Sequence, residues 1–514
     1  MKTPPKEKTE THLQNRRDFI KASAGVATAI GAFGAISAYA QAGNPRESAI
    51  GQPSDKVAPE RVFNGVYQGS QLSQVAFPLG GIGAGMVCIE GTGRLSHLSL
   101  RHRPEIFNEP KDVFSALWIK QTGTARVLEG PVPDWKKFGL KGSEFAGSGN
   151  GGTGTTYGLP RFAKAVFASR FPFADITLNH PGLPVDVAIR AWSPFVPGDS
   201  YHSSLPVAAL EFTFVNTGSE RIDCVYSFNA KNFMSVGDDK LSSVETLPNG
   251  FVFCQKPLPD KPQAEGYFSA VALDPNTKSN GRWFRGGWFD ALTMIWEDIA
   301  SGFCDNRSVP TEGDPSPGAS LMVPFSLVPG EKKTVPVLFS WYVPSSNLSV
   351  DAPPASACAK DEKCSCNPFY KPWYSVAFPD FPALRSLWQR EYAELREKTQ
   401  RFTDCFYDTN LMPEVVEAVA ANLSILKSPT ILRQADGRLW AWEGCFDSGG
   451  CCSGSCTHVW NYAQAIAHLF PDLERTYRQT EFGENQDGNG HQRFRAALPI
   501  QPGKHGFHAA ADGQ

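Results

Sequence analysis

Leu210-Glu211-Phe212-Thr213-Phe214-Val215-Asn216-Thr217-Gly218-Ser219-Glu220-Arg221-Ile222-Asp223-Cys224-Val225-Tyr226-Ser227-Phe228 reads as two strands about one turn. Leu210, Phe212 and Phe214 alternate with Glu211, Thr213 and Val215. Asn216-Thr217-Gly218 turns the chain, and Ile222, Cys224, Tyr226 and Phe228 alternate again. A period of two sends every second side chain to the same face. The stretch therefore predicts an antiparallel hairpin with one buried face.

The same period runs from about residue 61 to 345. Val335, Val337, Phe339 and Trp341 repeat it, entered from the turn Val328-Pro329-Gly330-Glu331 and closed by Pro344. The whole chain carries 47 Gly, 40 Pro and 35 Phe, a supply of turn residues and packing aromatics that suits many short strands. Residues 61–345 are expected to form an N-terminal antiparallel β-sandwich.

Beyond this the period changes. Residues 346–384 are an irregular Cys/Pro-rich linker with Cys358, Cys364 and Cys366. Leu384 to Arg401 predicts a helix with Leu384, Leu387, Tyr392 and Leu395 on one face. Pro413 opens another, with Val415, Val419, Leu423 and Leu426 at helical spacing, and Ser428-Pro429 ends it. Thr457 suits the N-cap of a third helix bearing Val459, Tyr462, Ile466 and Leu469, and Pro471 starts a fourth that runs to about Phe482. The expected order is thus β then α, with the helical part at 385–514. A double ring of twelve helices, at about 12 residues each plus loops, needs at least roughly 200 residues. Four helices in about 115 residues fall far short of that; they could form a small bundle, and the helical part is read as incomplete.

Bulk properties narrow the partners. At 514 residues the chain is long enough for two or more domains. A net charge of −3 offers no argument for nucleic acid. Asn15-Arg16-Arg17-Asp18-Phe19-Ile20-Lys21, the mild apolar run Ala22 to Ile36 and Ala38-Tyr39-Ala40 together read as a twin-arginine signal peptide over 1–40, cleaved after Ala40. The alternative is a membrane anchor, but the apolar run is shorter than the roughly 20 residues a span needs. Residues 41–60 read as a flexible linker. The expected destination is the periplasm or the exterior, with no membrane span after cleavage.

Phe77-Pro78-Leu79-Gly80-Gly81-Ile82-Gly83-Ala84-Gly85 invites a nucleotide reading. The dinucleotide fingerprint must open a helix. Here Met86-Val87-Cys88-Ile89-Glu90 and Gly91-Thr92-Gly93 follow, a strand and a turn, and no phosphate-binding lysine accompanies them. The glycines are expected to let backbone pass close to backbone.

The densest chemistry is Trp442-Glu443-Gly444-Cys445-Phe446-Asp447-Ser448-Gly449-Gly450-Cys451-Cys452-Ser453-Gly454-Ser455-Cys456-Thr457-His458. Its cysteine spacing matches no standard zinc pattern, so neither a metal nor a cofactor is expected. Disulfides within the loop or to Cys405, and unpaired cysteines, both remain open. Glu443 lies between Trp442 and Gly444, after an apolar run. A carboxylate walled by aromatics suits sugar chemistry, since rings stack on pyranose faces and the carboxylate attacks or stabilises the anomeric carbon. A hydrogen-bonded structural acid fits the same position.

Several motifs in matching order carry a resemblance. Phe77–Gly83, Gly93-Arg94-Leu95 and Arg103-Pro104-Glu105 resemble the N-terminal β domain of glycoside hydrolase family 116, which includes the non-lysosomal glucosylceramidases, or bile-acid β-glucosidases. Asn422-Leu423-Ser424, Ser428-Pro429-Thr430, Asp436-Gly437-Arg438 and Trp442-Glu443-Gly444 resemble the start of its catalytic domain. Thr457 to Ala465 and Leu469 to Arg475 extend the likeness, which covers about residues 65–514.

The resemblance implies a β-sandwich followed by the beginning of an (α/α)6 barrel, and a retaining β-glucosidase mechanism with two carboxyl groups. Glu443 matches the nucleophile. Trp442 and Thr457 are expected to bind the substrate. His458 stands where many members carry a sugar-contacting Asp, and His508 matches a histidine of the glucose subsite. The acid/base Asp of the family falls beyond Gln514, so the chain by itself is expected to be weak or inactive. The partner is a carbohydrate or glycoside. A non-catalytic carbohydrate-binding β-sandwich is the alternative.

Overall fold

The computed structural model describes residues 61–106, 108–137, 156–237, 241–351, 368–455, 465–493 and 495–501, all within one compact unit. The signal peptide, the linker 41–60, residues 352–367 of the Cys/Pro-rich segment, Thr457, His458 and His508 lie outside the described residues.

Thirteen strands carry the argument. Ala76–Leu79 (β1), Met86–Glu90 (β2) and Leu95–Ser99 (β3) form a small three-stranded sheet. Val113–Ile119 (β4) belongs to a five-stranded sheet and Val185–Trp192 (β5) to a nine-stranded one. Val207–Asn216 (β6), Ile222–Lys231 (β7), Gly318–Leu327 (β8) and Lys332–Tyr342 (β9) form the centre of the molecule. Ile431–Arg433 (β10) with Leu439–Ala441 (β11), and Gly444–Phe446 (β12) with Gly449–Cys451 (β13), are two short hairpins. All of these strand pairs are antiparallel. The helices are Ala291–Ala300 (α1), Phe381–Tyr407 (α2), Pro413–Ile425 (α3), Ala465–Leu469 (α4) and Pro471–Gln479 (α5).

The 210–228 stretch is two strands, but not a hairpin. β6 pairs with β5 and β9, while β7 pairs with β4 and β8, so the turn crosses from one sheet to the other. The side chains explain the crossing. Phe212 and Phe214 meet Tyr226 across the core at ring distances of 4.8 and 5.8 Å, and Phe228 meets Phe339 at 5.0 Å. Two alternating apolar faces either lie side by side in one sheet or face each other across a core. These face each other. Asn216 fixes the crossing: its side-chain amide donates to the Glu220 and Leu327 carbonyls, and its Oδ1 accepts from Gly218 N. The β8–β9 turn crosses back beside it, with Gly330 N donating to Asn216 O and Asn216 N to Glu331 O.

A single buried face was expected for β6. Both are buried, because α2 lies on the outer side. Glu211, an outward position, is 6% exposed. Its carboxylate accepts two bonds from Arg396 at 2.6 and 2.9 Å, one from Tyr392 OH and one from Trp192 Nε1. Trp388 packs on Trp192 at 5.5 Å. Helix α2 begins with Asp380, whose side chain accepts from Ala383 N, and Pro382 in its first turn. Helix α1 was not anticipated. Asp290 caps it, and Trp296 covers Phe114 of the five-stranded sheet.

Helix α3 runs where the pattern placed it, and Leu423 and Leu426 are buried as expected, but the first two turns bury the next residue instead. Val416, Ala420 and Leu423 are buried, whereas Val415 and Val419 are 38% and 40% exposed. The stripe 416, 420, 423 continues to Lys427, whose ammonium must reach inward. It donates to the carbonyls of Gly80, Ser193 and Pro194 at 3.0–3.1 Å and to Ser193 Oγ at 2.6 Å. Burial pushes the Lys427 pKa well below its ordinary value.

The glycine-rich turn does what close backbone approach requires. Gly83 has φ +71°, and a Cβ there would stand 2.4 Å from Arg433 N. A Cβ on Gly81 would stand 2.4 Å from Leu205 O. The sandwich loop is thus pressed against strand β10, and apolar residues of α3, β10, β11 and α5 join the sandwich in one continuous core.

Candidate active site

Glu443 is delivered by β11. The β10–β11 turn is set by Asp436, whose Oδ1 accepts from Arg438 N, and by Gly437 at φ +93°. Trp440 anchors the strand by donating Nε1–H to Ala496 O at 3.0 Å. Trp442 N donates to Thr430 O, and Glu443 N forks between the carbonyls of Cys451 and Cys452 at 3.1 and 3.0 Å. The backbone of Glu443 is therefore clamped at the base of the β12–β13 hairpin. Buried Arg433 holds the other end of the platform, donating to Ser200 O and Ser204 Oγ and stacking on Trp373 at 4.2 Å. Burial lowers its pKa to about 10.

The Glu443 side chain is partly exposed, and its Oε1 lies 3.2 Å from Arg495 Nη2. Arg495 is itself tied to the Ser453 carbonyl. The segment after it runs along the site loop, with Ala496 N donating to Gly454 O and Ser455 N to Ala441 O. Ser455 Oγ accepts from Ala441 N, and Tyr477 OH of α5 donates to Ser455 O. Sequence reasoning missed Arg495. It stands 52 residues from Glu443, and no local pattern pairs them.

Trp442 is 6% exposed. Its ring sits edge-to-face with Trp440 at 4.9 Å, and a Cβ on Gly450 would fall 2.1 Å from it. Gly450 is thus the residue that lets β13 lie on the indole. Asp447 sits at the hairpin tip, where its carbonyl accepts from Ile106 N.

Cys405, Cys445, Cys451 and Cys452 carry free thiols. Cys451 and Cys452 Sγ lie 3.4 Å apart. Among the described residues no group of three or more His, Cys, Asp or Glu could hold a metal ion, and no helix is long and apolar enough to cross a membrane.

Glu443 thus stands partly exposed beside the buried indoles of Trp440 and Trp442, with its backbone held by the carbonyls of Cys451 and Cys452. The model described as beta-glucosidase 2, glycosyl-hydrolase family 116 N-term, matches residues 76–422. The chain belongs to glycosyl-hydrolase family 116. No curated protein matches the sequence. Among solved structures it is similar to a protein described as a kojibiose phosphorylase from the human microbiome (12% identity, TM-score 0.27, 51% of this chain and 28% of that one). It is also similar to a polysaccharide lyase (10%, 0.22, 53% and 34%) and to a family GH92 alpha-mannosidase from Bacteroides thetaiotaomicron (9%, 0.25, 75% and 41%). The chain spans less than half the length of each, and TM-scores this low carry no argument about architecture or activity.

Proposed function

We infer that the chain is a retaining β-glucosidase-type glycoside hydrolase in which Glu443 attacks the anomeric carbon. The observation that carries this is the setting of Glu443: backbone clamped by two carbonyls, carboxylate partly open and oriented by Arg495. A nucleophile must be fixed in direction yet reachable. Trp442 walls the site, and Thr457, His458 and His508 are the proposed sugar contacts. The helices from α2 onward are proposed as the beginning of an (α/α)6 barrel, and a glucosylceramide-like glycoside as the substrate class. Export by the twin-arginine route to the periplasm or exterior completes the proposal.

The acid/base is assigned to no described residue. The test therefore isolates the nucleophile. A dinitrophenyl β-glucoside has a leaving group that departs without protonation, so attack by Glu443 can proceed without an acid. The expected result is a burst of dinitrophenolate and a glucosyl adduct on the peptide containing Glu443, both lost in Glu443→Gln. An equal burst from the variant, or no adduct, overturns the assignment.

A further inference from the structure

The two neighbouring cysteines beside Glu443 are not absorbed by the function above. Cys451 ends strand β13 and is half-buried. Cys452 follows with φ +53°, a left-handed turn that brings its side chain back, exposed, beside that of Cys451. The two sulfurs stand 3.4 Å apart. Adjacent residues otherwise send their side chains to opposite faces of a strand, so the turn at Cys452 creates the pairing. The same two residues supply the carbonyls that clamp Glu443 N. The Cys452 thiol is pushed up by its bond to Cys451, then by burial and by the charge of Glu443, and it also hydrogen-bonds the Glu443 side chain.

We propose that Cys451 and Cys452 form a vicinal dithiol, a modification site that a small-molecule disulfide oxidises, withdrawing the Cys452 thiol from Glu443. The exposed Cys452 meets the oxidant first. Its thiolate attacks one sulfur of RSSR, forming Cys452–S–S–R and releasing RS⁻. The Cys451 thiolate, already within van der Waals reach, attacks the Cys452 sulfur, forms the Cys451–Cys452 bond and releases the second RS⁻. Two protein thiols lose two protons and two electrons, and RSSR becomes two RSH. The consequence for hydrolysis rests on Glu443 being the nucleophile; the dithiol itself does not.

The experiment uses the full chain and oxidised glutathione. The peptide carrying Cys451 and Cys452 is expected to lose two hydrogens, reversibly with dithiothreitol, and to retain no glutathione. Cys451→Ser is expected to stall with glutathione held on Cys452. A stable adduct on Cys452 in the wild type, or a bond from Cys445 to either residue, overturns the proposal. The contact with Glu443 is read separately, from the rate at which Cys452 reacts with an aromatic disulfide. Removing the neighbouring negative charge in Glu443→Gln is expected to raise that rate several-fold; an unchanged rate overturns the contact. Hydrolysis of the dinitrophenyl glucoside is then compared in the two redox states. Equal rates overturn the regulation, whereas absence of hydrolysis in both, with the dithiol chemistry intact, overturns the nucleophile instead.

Discussion

Arg495 reaches back 52 residues to set its guanidinium 3.2 Å from the Glu443 carboxylate, while its other nitrogen holds the Ser453 carbonyl. One side chain thus ties the site carboxylate to the loop that clamps it.

Arg495→Ala is expected to release both ties without opening the core. A misplacement of about 1 Å in a reacting group can lower a rate by roughly 100-fold. The burst rate with the dinitrophenyl glucoside is expected to fall about 10- to 100-fold, with a melting temperature close to wild type. A rate within twofold of wild type would show that Arg495 does not position Glu443.

Glu211→Ala should detach α2 from the sheet. The substitution leaves Arg396 and the Tyr392 and Trp192 donors without their acceptor. Breaking a buried pair by removing one partner costs about 3–5 kcal/mol. Thermal unfolding should shift by that amount, and protease cutting within 381–407 should rise in parallel.

Gly83 and Gly330 separate two reasons for a glycine. Both have positive φ, +71° and +78°. At Gly330 a Cβ meets nothing within 4 Å, so Gly330→Ala should cost only the left-handed penalty of roughly 1–2 kcal/mol. Gly83→Ala adds a collision with the Arg433 backbone. Overpacking contributes roughly 1–3 kcal/mol more. Melting curves of the two variants give the comparison, and equal losses would mean that the loop and β10 are not in contact.

Lys427 gives a pH dependence with a definite sign. Its folded-state pKa is lowered by burial, so between that value and 10.5 the unfolded chain binds the extra proton. Stability rises with pH wherever the unfolded state binds more protons. The cost of the buried charge is fully present below the folded pKa and is relieved as pH climbs towards 10.5. Lys427→Met lacks this response. The difference in melting temperature, wild type minus variant, should therefore move in favour of wild type from pH 7 upward to about 10. A constant difference would place the ammonium in contact with water.

The strands were legible because their period is two, and period is a local property. Val335, Val337, Phe339 and Trp341 needed nothing but their own spacing to be recognised as a buried face. Which strand pairs with which is not local. Two apolar faces joined by a short turn fit one sheet or two, and only the neighbours β5, β9, β4 and β8 decide between them. The same limit explains α3: spacing alone cannot choose between Val415 and Val416 until Lys427 has found its carbonyls. Glu443 could be singled out as a candidate from its neighbours Trp442 and Gly444 and from the family resemblance. Arg495 and Glu211 could not, because their meaning lies in partners distant in sequence.

The two turns that cross between sheets, joined through Asn216, Gly330 and Glu331, have a consequence for assembly. Neither layer can be completed from consecutive strands. Val207 must find Ser340, 133 positions away (340 − 207), and Ile222 must find Leu327. Such pairings have to close long loops before they are rewarded, which slows folding relative to a stack of local hairpins. Completion of either layer therefore waits on these long-range pairings, and a chain still lacking β8 and β9 holds β6 and β7 with two open edges.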